Sequence, residues 1–405
     1  MRTRTENPTV KVNARGAARL RAGHPWVYRS DIESADGVSA GGVVSVVDSR
    51  SRPLATALYS SASQIAIRAI SAEQIPAREW NSLLRKRIGD AVAFRREIVR
   101  DSDAYRVIFS EADFLPGLIV DKYGDYLSFQ VLTQAMDARD ARNTIVGTLV
   151  SELSPIGIFE RVEARIRELE QMEPRANSLV WSRLDGEIPP KTTFTMNGLQ
   201  FLFDTESGQK TGAFLDQREN YAAAERHASG RALDCFTYQG GFALHLNRAC
   251  EQVTAVDISL AALESAEQNW KMNEAVCAGR EIEWIEANAF DLLRDYADRG
   301  EKYDTVVLDP PAFAKTKSAA PKALRGYKEL NLRALKMLRP GGKLITCSCS
   351  FHVNESDFLE MLADAAADAH RPVRLLEVRR QSQDHPVLLN VPETHYLKCV
   401  ICEAL

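Results

Sequence analysis

The sequence has no run of 18 or more apolar residues, so no segment reads as a membrane-spanning helix. Its first residues, Met1 to Glu6, are polar and lack the apolar stretch of a secretory signal. They read as a short, loose tail. The seven cysteines, Cys235, Cys250, Cys277, Cys347, Cys349, Cys399 and Cys402, have no histidine cluster beside them. Odd in number and scattered through apolar stretches, they suit free thiols in a reducing, cytoplasmic setting. Cys399 and Cys402 form a CxxC without a second pair, and strand periodicity sends them to opposite faces. Two core thiols are expected there, and no metal. An excess of positive charge is also missing. With 51 Lys/Arg against 55 Asp/Glu the net charge is −4, which argues against a protein that coats nucleic acid nonspecifically. The balance is uneven: residues 1–72 carry +5 and the remainder −9. A small basic module on an acidic body fits localised phosphate contact, although such an excess is also met on solvated surfaces.

What is present divides into three segments. Residues 1–72 hold short alternating runs, Gly42-Val-Val-Ser-Val-Val47 and Gln64-Ile-Ala-Ile-Arg68, broken by Gly, Ser and Asp, and predict a small β-rich domain. Residues 73–190 begin with a helical stretch from Ala77 to Ile98. They continue through the strand-like Leu118–Asp121 and Tyr126–Leu132, as a central α+β domain would, and a linker is expected at Glu187–Lys191. From 191 to 405, apolar strands alternate with amphipathic helices, the pattern of an α/β domain with a mostly parallel sheet. Val373–Val378 and Tyr396–Cys402 have no helix between them and predict an antiparallel pair at one sheet edge.

Open α/β sheets bind ligands beyond the carboxyl ends of their strands. The first strand of the third segment ends in Asp234-Cys-Phe-Thr-Tyr-Gln-Gly-Gly-Phe242, a loop that includes Phe236, Tyr238, Gly240 and Gly241. Paired glycines allow a sharp turn and close approach to a ligand. Asp257, at the end of the next strand, is placed to accept both hydroxyls of a ribose. The loop is not GxGxxG, and Asp234 would repel a pyrophosphate but could hold the cationic end of S-adenosylmethionine. That favours a methyl donor over a nicotinamide dinucleotide. Asn288 follows the third strand and can either pair with an adenine edge or cap the next helix.

The fourth strand ends in Asp309-Pro-Pro-Ala-Phe313, where two prolines fix the backbone and Asp309 can accept from a base amino group. The fifth runs Gly342-Lys-Leu-Ile-Thr-Cys-Ser-Cys-Ser350. A pyrimidine C5 is a poor nucleophile, and a thiolate that first adds to C6 overcomes this. Cys347 and Cys349 share a face if the strand continues, and Cys349, further toward the crevice, is the better candidate.

With these motifs together the chain resembles, over nearly its full length, the bacterial 23S rRNA (cytosine-C5)-methyltransferase family. The match is carried by His24-Pro-Trp-Val27, Asp113-Phe-Leu-Pro-Gly117, Gly208–Arg218, the Cys235–Phe242 loop, Asp309–Phe313, Arg325-Gly-Tyr-Lys328, Ser348-Cys-Ser350 and Asp384-His-Pro-Val387. The resemblance implies a PUA-like RNA-binding domain over 1–72, a central α+β domain over 73–190, and a class I Rossmann-like methyltransferase domain over 191–405. It further implies S-adenosyl-L-methionine as cofactor, large-subunit ribosomal RNA as partner and Cys349 as nucleophile. No membrane partner is expected, and a homodimer is left open. Lys210, Thr211 and Gln217 would help close the methyl-donor pocket. The family commonly has an acidic residue where Asn288 stands, and the Asp-Pro-Pro motif here has no cysteine, so the acceptor of the C5 proton is unassigned. Two other functions stand against C5 methylation: transfer to a base nitrogen, which needs no thiol adduct, and a noncatalytic RNA-binding assembly factor.

Overall fold

The structure is a computed structural model and describes residues 7–185, 189, 191–205, 213–277 and 279–405. The tail Met1–Glu6 and most of the linker expected at Glu187–Lys191 lie outside these residues. The fold divides into two compact units, one of Met1–Thr192, Phe203–Gly212 and Asp384–Thr394, the other of Thr193–Leu202, Ala213–Gln383 and His395–Leu405.

The first unit holds two sheets. Strands β1 (Thr9–Val12), β2 (Trp26–Tyr28), β3 (Ile32–Ser34), β4 (Val43–Asp48), β5 (Pro53–Tyr59) and β6 (Ile65–Ser71) pair in the order β2-β6-β5-β4-β1-β3. The alternation visible in the sequence is realised in β4, where Val44, Val46 and Asp48 face inward and their neighbours outward. Helix α1 (Ala14–Arg21) is capped by Asn13, whose side chain accepts from Gly16 N at 2.9 Å.

The second sheet runs β11-β10-β9-β8-β7, from β7 (Ala104–Phe109), β8 (Leu118–Tyr123), β9 (Tyr126–Val131), β10 (Gly157–Glu160) and β11 (Ser178–Ser182). Helices α2 (Trp80–Ile98), α3 (Gln134–Asp137), α4 (Arg139–Leu153) and α5 (Ala164–Leu169) accompany it. Leu84 and Ile88 of α2 and Ile145 and Leu149 of α4 recur at helical spacing and share a core with Val120 and Phe129. The two sheets are tied by polar contacts: Trp26 Nε1 donates to Glu111 Oε1 at 2.9 Å, and Ser60 Oγ to Glu170 Oε2 at 2.7 Å.

A hairpin of β12 (Lys191–Met196) and β13 (Leu199–Asp204) turns at Asn197-Gly198, both left-handed with φ of 52° and 77°. Asn-Gly is the residue pair such two-residue turns favour.

The second unit is an α/β sheet of seven strands in the order β16-β15-β14-β17-β18-β20-β19. Its elements follow one another as α6 (Arg218–His227), β14 (Arg231–Cys235), α7 (Gly241–Ala249), β15 (Gln252–Asp257), α8 (Leu260–Met272), β16 (Ile282–Glu286), α9 (Ala289–Asp298), β17 (Tyr303–Leu308), α10 (Ala320–Met337), β18 (Leu338–Ser348), α11 (Glu355–Asp368), β19 (Val373–Arg379) and β20 (Lys398–Ala404). β14 to β18 are mutually parallel, whereas β20 runs antiparallel to β18 and β19 antiparallel to β20. The late antiparallel pair expected from the sequence therefore forms, with β19 at the edge. The chain winds outward from β14 through β15 to β16, then returns to lay β17 on the other side of β14. That reversal opens a crevice at the carboxyl ends of β14 and β17, where such sheets bind ligands.

Candidate active site

Each sequence-predicted residue of the second unit that the structure describes lies at or just beyond a strand's carboxyl end, or, for Gln217, before α6. Cys235 and Leu308 stand side by side in the β14–β17 ladder, so Asp234 and Asp309 flank the crevice. Asp309 N also donates to Cys235 O at 3.3 Å.

The β14–α7 loop is wound tightly. Phe236, Tyr238 and Gly240 all have left-handed backbones, with φ of 69°, 49° and 82°. For an aromatic residue such a backbone costs about 1–3 kcal/mol and persists only where surroundings impose it. Here Phe236 N and Thr237 N both donate to Val256 O, at 2.9 and 3.0 Å, and Tyr238 N to Asp257 Oδ2 at 2.9 Å. The glycines answer steric needs. A Cβ on Gly241 would lie 2.5 Å from Tyr221 Cζ, and one on Gly240 2.6 Å from Leu244 Cδ1.

Asp234 is fully buried, and Thr237 Oγ1 donates to its Oδ2 at 2.6 Å. The Ala243 N–H is directed toward the carboxyl, yet Oδ1 makes no well-formed hydrogen bond among the described residues. Burial pushes this carboxyl up to about 7, with the Asp257 charge adding to the effect and Thr237 opposing it. Asp309 is pushed up to about 8, first by burial and then by the charges of Asp216 and Asp234, while the Gln217 amide hydrogen-bonds to it and pulls the other way. Two carboxyls with raised affinity for a proton, the half-buried Asp309 and the fully buried Asp234 with an unpaired oxygen, suit a cationic ligand. Asp257 Oδ1 accepts from Ser259 N at 2.9 Å, and each of its oxygens retains a lone pair for a hydroxyl. The residues present thus fit S-adenosylmethionine, since Asp234 offers a buried carboxyl to a cationic group and Asp257 offers lone pairs to hydroxyls.

Asn288 caps α9: its Oδ1 accepts from Phe290 N at 2.9 Å. The residue is exposed, and the cap uses only its oxygen, so capping and an adenine contact are compatible. Gln217 is buried just before α6, and its Oε1 accepts from Asn220 Nδ2 at 2.7 Å. Lys210 and Thr211 lie outside the described residues.

All seven cysteines are described, and six are buried. The exception is Cys349. Strand β18 ends at Ser348, so the alternation that would have put Cys347 and Cys349 on one face stops there. Cys347 pairs with Cys399 across β18 and β20, and burial, with that neighbour, pushes its thiol well above the ordinary range. Cys349 lies beyond the strand in a turn held from two sides. Ser350 Oγ accepts from Ala314 N at 3.1 Å and pairs with Tyr327 Oη at 2.9 Å, which ties the Ser348–Ser350 turn to the loop that begins at Asp309. Among the described residues no three His, Cys, Asp or Glu side chains group as metal ligands do.

Comparison with known proteins decides the family. A PUA-like domain family matches residues 10–72, and an S-adenosylmethionine-dependent methyltransferase family matches residues 167–389. Ribosomal RNA large subunit methyltransferase I of Citrobacter koseri is 36% identical over 388 residues, covering 94% of this chain and 96% of that protein. The proteins of the same name from Klebsiella pneumoniae and Escherichia coli are also 36% identical, covering 94% of this chain and 94% and 96% of theirs. The chain belongs to that family. It is a SAM-dependent methyltransferase with an N-terminal PUA-like domain. The fold agrees with two solved structures, each 18% identical and covering 98% of this chain and 99% of the other. A candidate SAM-dependent methyltransferase from Streptococcus mutans superposes with a TM-score of 0.80, and a candidate methyltransferase complexed with SAH with 0.81.

Several residues around this candidate site carry no signal in the sequence. Tyr221 packs against Gly241, and Tyr396 Oη donates to Asp216 Oδ2 at 2.6 Å. Lys398 begins β20 as the cross-strand partner of Ser348. None has a local motif, since each reaches the site from an element remote in sequence. Asp216 sits within the Gly208–Arg218 stretch of the family resemblance, but nothing in its neighbours announces a tyrosine partner 180 residues away.

Proposed function

We propose that this methyltransferase acts on C5 of a cytosine in large-subunit ribosomal RNA, with Cys349 as the nucleophile. The observation that carries this reading is the separation of Cys349 from the six buried cysteines and its placement on a turn tied to the Asp309 loop. S-adenosylmethionine supplies an electrophilic methyl group. The chain's own residues do the rest: Cys349 Sγ adds to C6 and makes C5 the nucleophile, Asp309 holds the exocyclic amino group, and departure of the thiolate after loss of the C5 proton restores the ring. The target base must leave its stack, at a cost of a few kcal/mol. The N-terminal segment, PUA-like over 10–72 and with a +5 balance over 1–72, supports a role in gripping the surrounding RNA. The names of the relatives support large-subunit rRNA as the substrate.

Mass-spectrometric mapping of nucleosides in large-subunit rRNA from a strain lacking the gene tests the assignment. One cytosine should lose its 5-methyl group, and complementation should restore it. Loss of an N-methylated nucleoside instead would replace carbon with nitrogen as the target.

Two further results are expected. Asp257→Ala should weaken S-adenosylmethionine binding by about 1.5–3 kcal/mol, the scale of a hydrogen bond to a charged group. Calorimetry decides this, and an unchanged affinity would place the ribose elsewhere. The second concerns pH. Asp234 and Asp309 hold their protons to about pH 7 and 8 when folded, whereas an unfolded aspartate titrates near 3.9. Raised carboxyl values stabilise the fold fully only below about pH 4, and that stability is lost as pH rises through 7 and 8. The melting temperature of the ligand-free protein should therefore fall between about pH 5 and 8 and level off above, and S-adenosylmethionine should raise it more at the upper end. Asp234→Asn should flatten part of the decline. A ligand-free melting temperature level across that interval would contradict the raised values.

A further inference from the structure

Lys398 is a lysine at 3% exposure, and it has no carboxylate within ion-pair distance among the described residues. Its Nζ donates to two backbone carbonyls, Ser350 O at 2.7 Å and Tyr396 O at 2.8 Å. It stands opposite Ser348 in the β18–β20 ladder, so its head lies beneath the turn that carries Cys349. Burying an ammonium with only neutral acceptors is costly, and an apolar residue of similar volume would ordinarily serve the fold better. A buried cation of this kind calls for an anion that forms during function.

The groups around it narrow that anion. The charges that act on Lys398 are those of Cys349 and of Glu355 at the start of α11. His395 feels Lys398 and Glu355, and Tyr327, hydrogen-bonded to Ser350, feels Cys349. Of these, Cys349 sits on the turn whose carbonyl Lys398 holds.

We propose that Lys398 is the positioning residue of the nucleophile: its buried ammonium is the counter-charge of the Cys349 thiolate and, through Ser350 O, fixes the turn from which that thiolate acts. This rests on Cys349 being the nucleophile. A cation beside a cysteine lowers the pH at which its thiolate forms, and so supplies the reactive species at neutral pH. Burial brings Lys398 itself down to about 8.

The test is the pH dependence of Cys349 alkylation by iodoacetamide in the full chain, with the site read by peptide mass spectrometry. Wild type should alkylate at Cys349 with a midpoint below the ordinary thiol value. Lys398→Met should raise that midpoint by roughly one pH unit or more, and Lys398→Arg, which keeps the charge, should largely restore it. S-adenosylmethionine binding by both variants reports an intact fold. An unchanged midpoint in Lys398→Met that still binds the donor overturns the proposal and leaves Lys398 as a backbone tie. The outcome is separable from the function of Cys349 itself. A shifted midpoint without any RNA adduct rejects covalent catalysis but keeps the charge pair, whereas adduct formation at the wild-type rate in Lys398→Met rejects the pair but keeps the nucleophile.

Discussion

Replacing Cys349 with alanine is expected to abolish RNA methylation, a loss of roughly a thousand-fold or more as for removal of other catalytic nucleophiles, while S-adenosylmethionine affinity stays close to wild type. The reason is geometric. Asp234 and Asp257, the residues suited to hold the donor, lie on the β14 and β15 ends, and Cys349 follows β18. Cys347→Ala should behave differently. That thiol is buried and faces Cys399, so its removal leaves a small cavity and costs about 1 kcal/mol of stability with substantial activity retained. The pair of variants is read by tritium transfer from labelled donor into rRNA alongside a melting curve. Methylation by Cys349→Ala at the wild-type rate would remove the thiol from the chemistry, and inactivity confined to Cys347→Ala would reverse the choice.

The largest effect on stability is expected in the first unit. Arg95 is fully buried on α2, and its guanidinium forks onto both oxygens of Asp113, with Nη2 to Oδ2 at 2.8 Å. The same group donates from Nε to Arg106 O at 2.9 Å and from Nη2 to Asp384 O at 2.8 Å. Asp384 in turn accepts from Arg106 N at 2.8 Å through Oδ2, so one cation gathers α2, β7, the Asp113 turn and the late Asp384–Thr394 segment. Arg95→Met keeps most of the volume but leaves Asp113 buried without its counter-charge, which should cost about 3–5 kcal/mol. Adding Asp113→Asn should recover part of that loss, since the uncompensated charge is then gone. Urea unfolding followed by circular dichroism measures both. A loss below about 1 kcal/mol in Arg95→Met would mean that Asp113 finds another partner or takes up a proton at little cost.

Much of the candidate site's placement is legible in the amino-acid sequence, for a physical reason. In a doubly wound sheet the chemistry collects where strands stop, and strand ends are visible as breaks in apolar runs. Asp234, Asp257, Asp309 and Cys349 all stand at such breaks. The antiparallel β19–β20 edge is legible because two apolar runs without an intervening helix cannot be joined by a parallel crossover. What stays hidden depends on pairings between remote segments. The left-handed backbones at Phe236 and Tyr238 accompany hydrogen bonds that the loop donates to β15, and no residue preference announces them. Lys398 lies in Tyr396-Leu-Lys-Cys-Val, a strand stretch in which no neighbouring residue marks it as buried. In the fold it is buried, opposite Ser348 in the β18–β20 ladder. Asn288 leaves capping and adenine contact open in the sequence, and its Oδ1 serves the cap. For the Asp384–Thr394 segment, local periodicity carries no sign that its first residue meets Arg95, 289 positions earlier.

The most direct measurement of the central claim is a trapped adduct. Ribosomal RNA fragments that carry 5-fluorocytidine at the target position should form a covalent complex with the wild-type protein in the presence of S-adenosylmethionine, because fluorine cannot leave C5 as a proton does. Digestion and peptide mass spectrometry should then place the nucleotide on the peptide containing Ser348-Cys349-Ser350, at Cys349. Attachment at Cys347, or quantitative methylation of the natural fragment with no adduct on its fluorinated counterpart, would contradict the account.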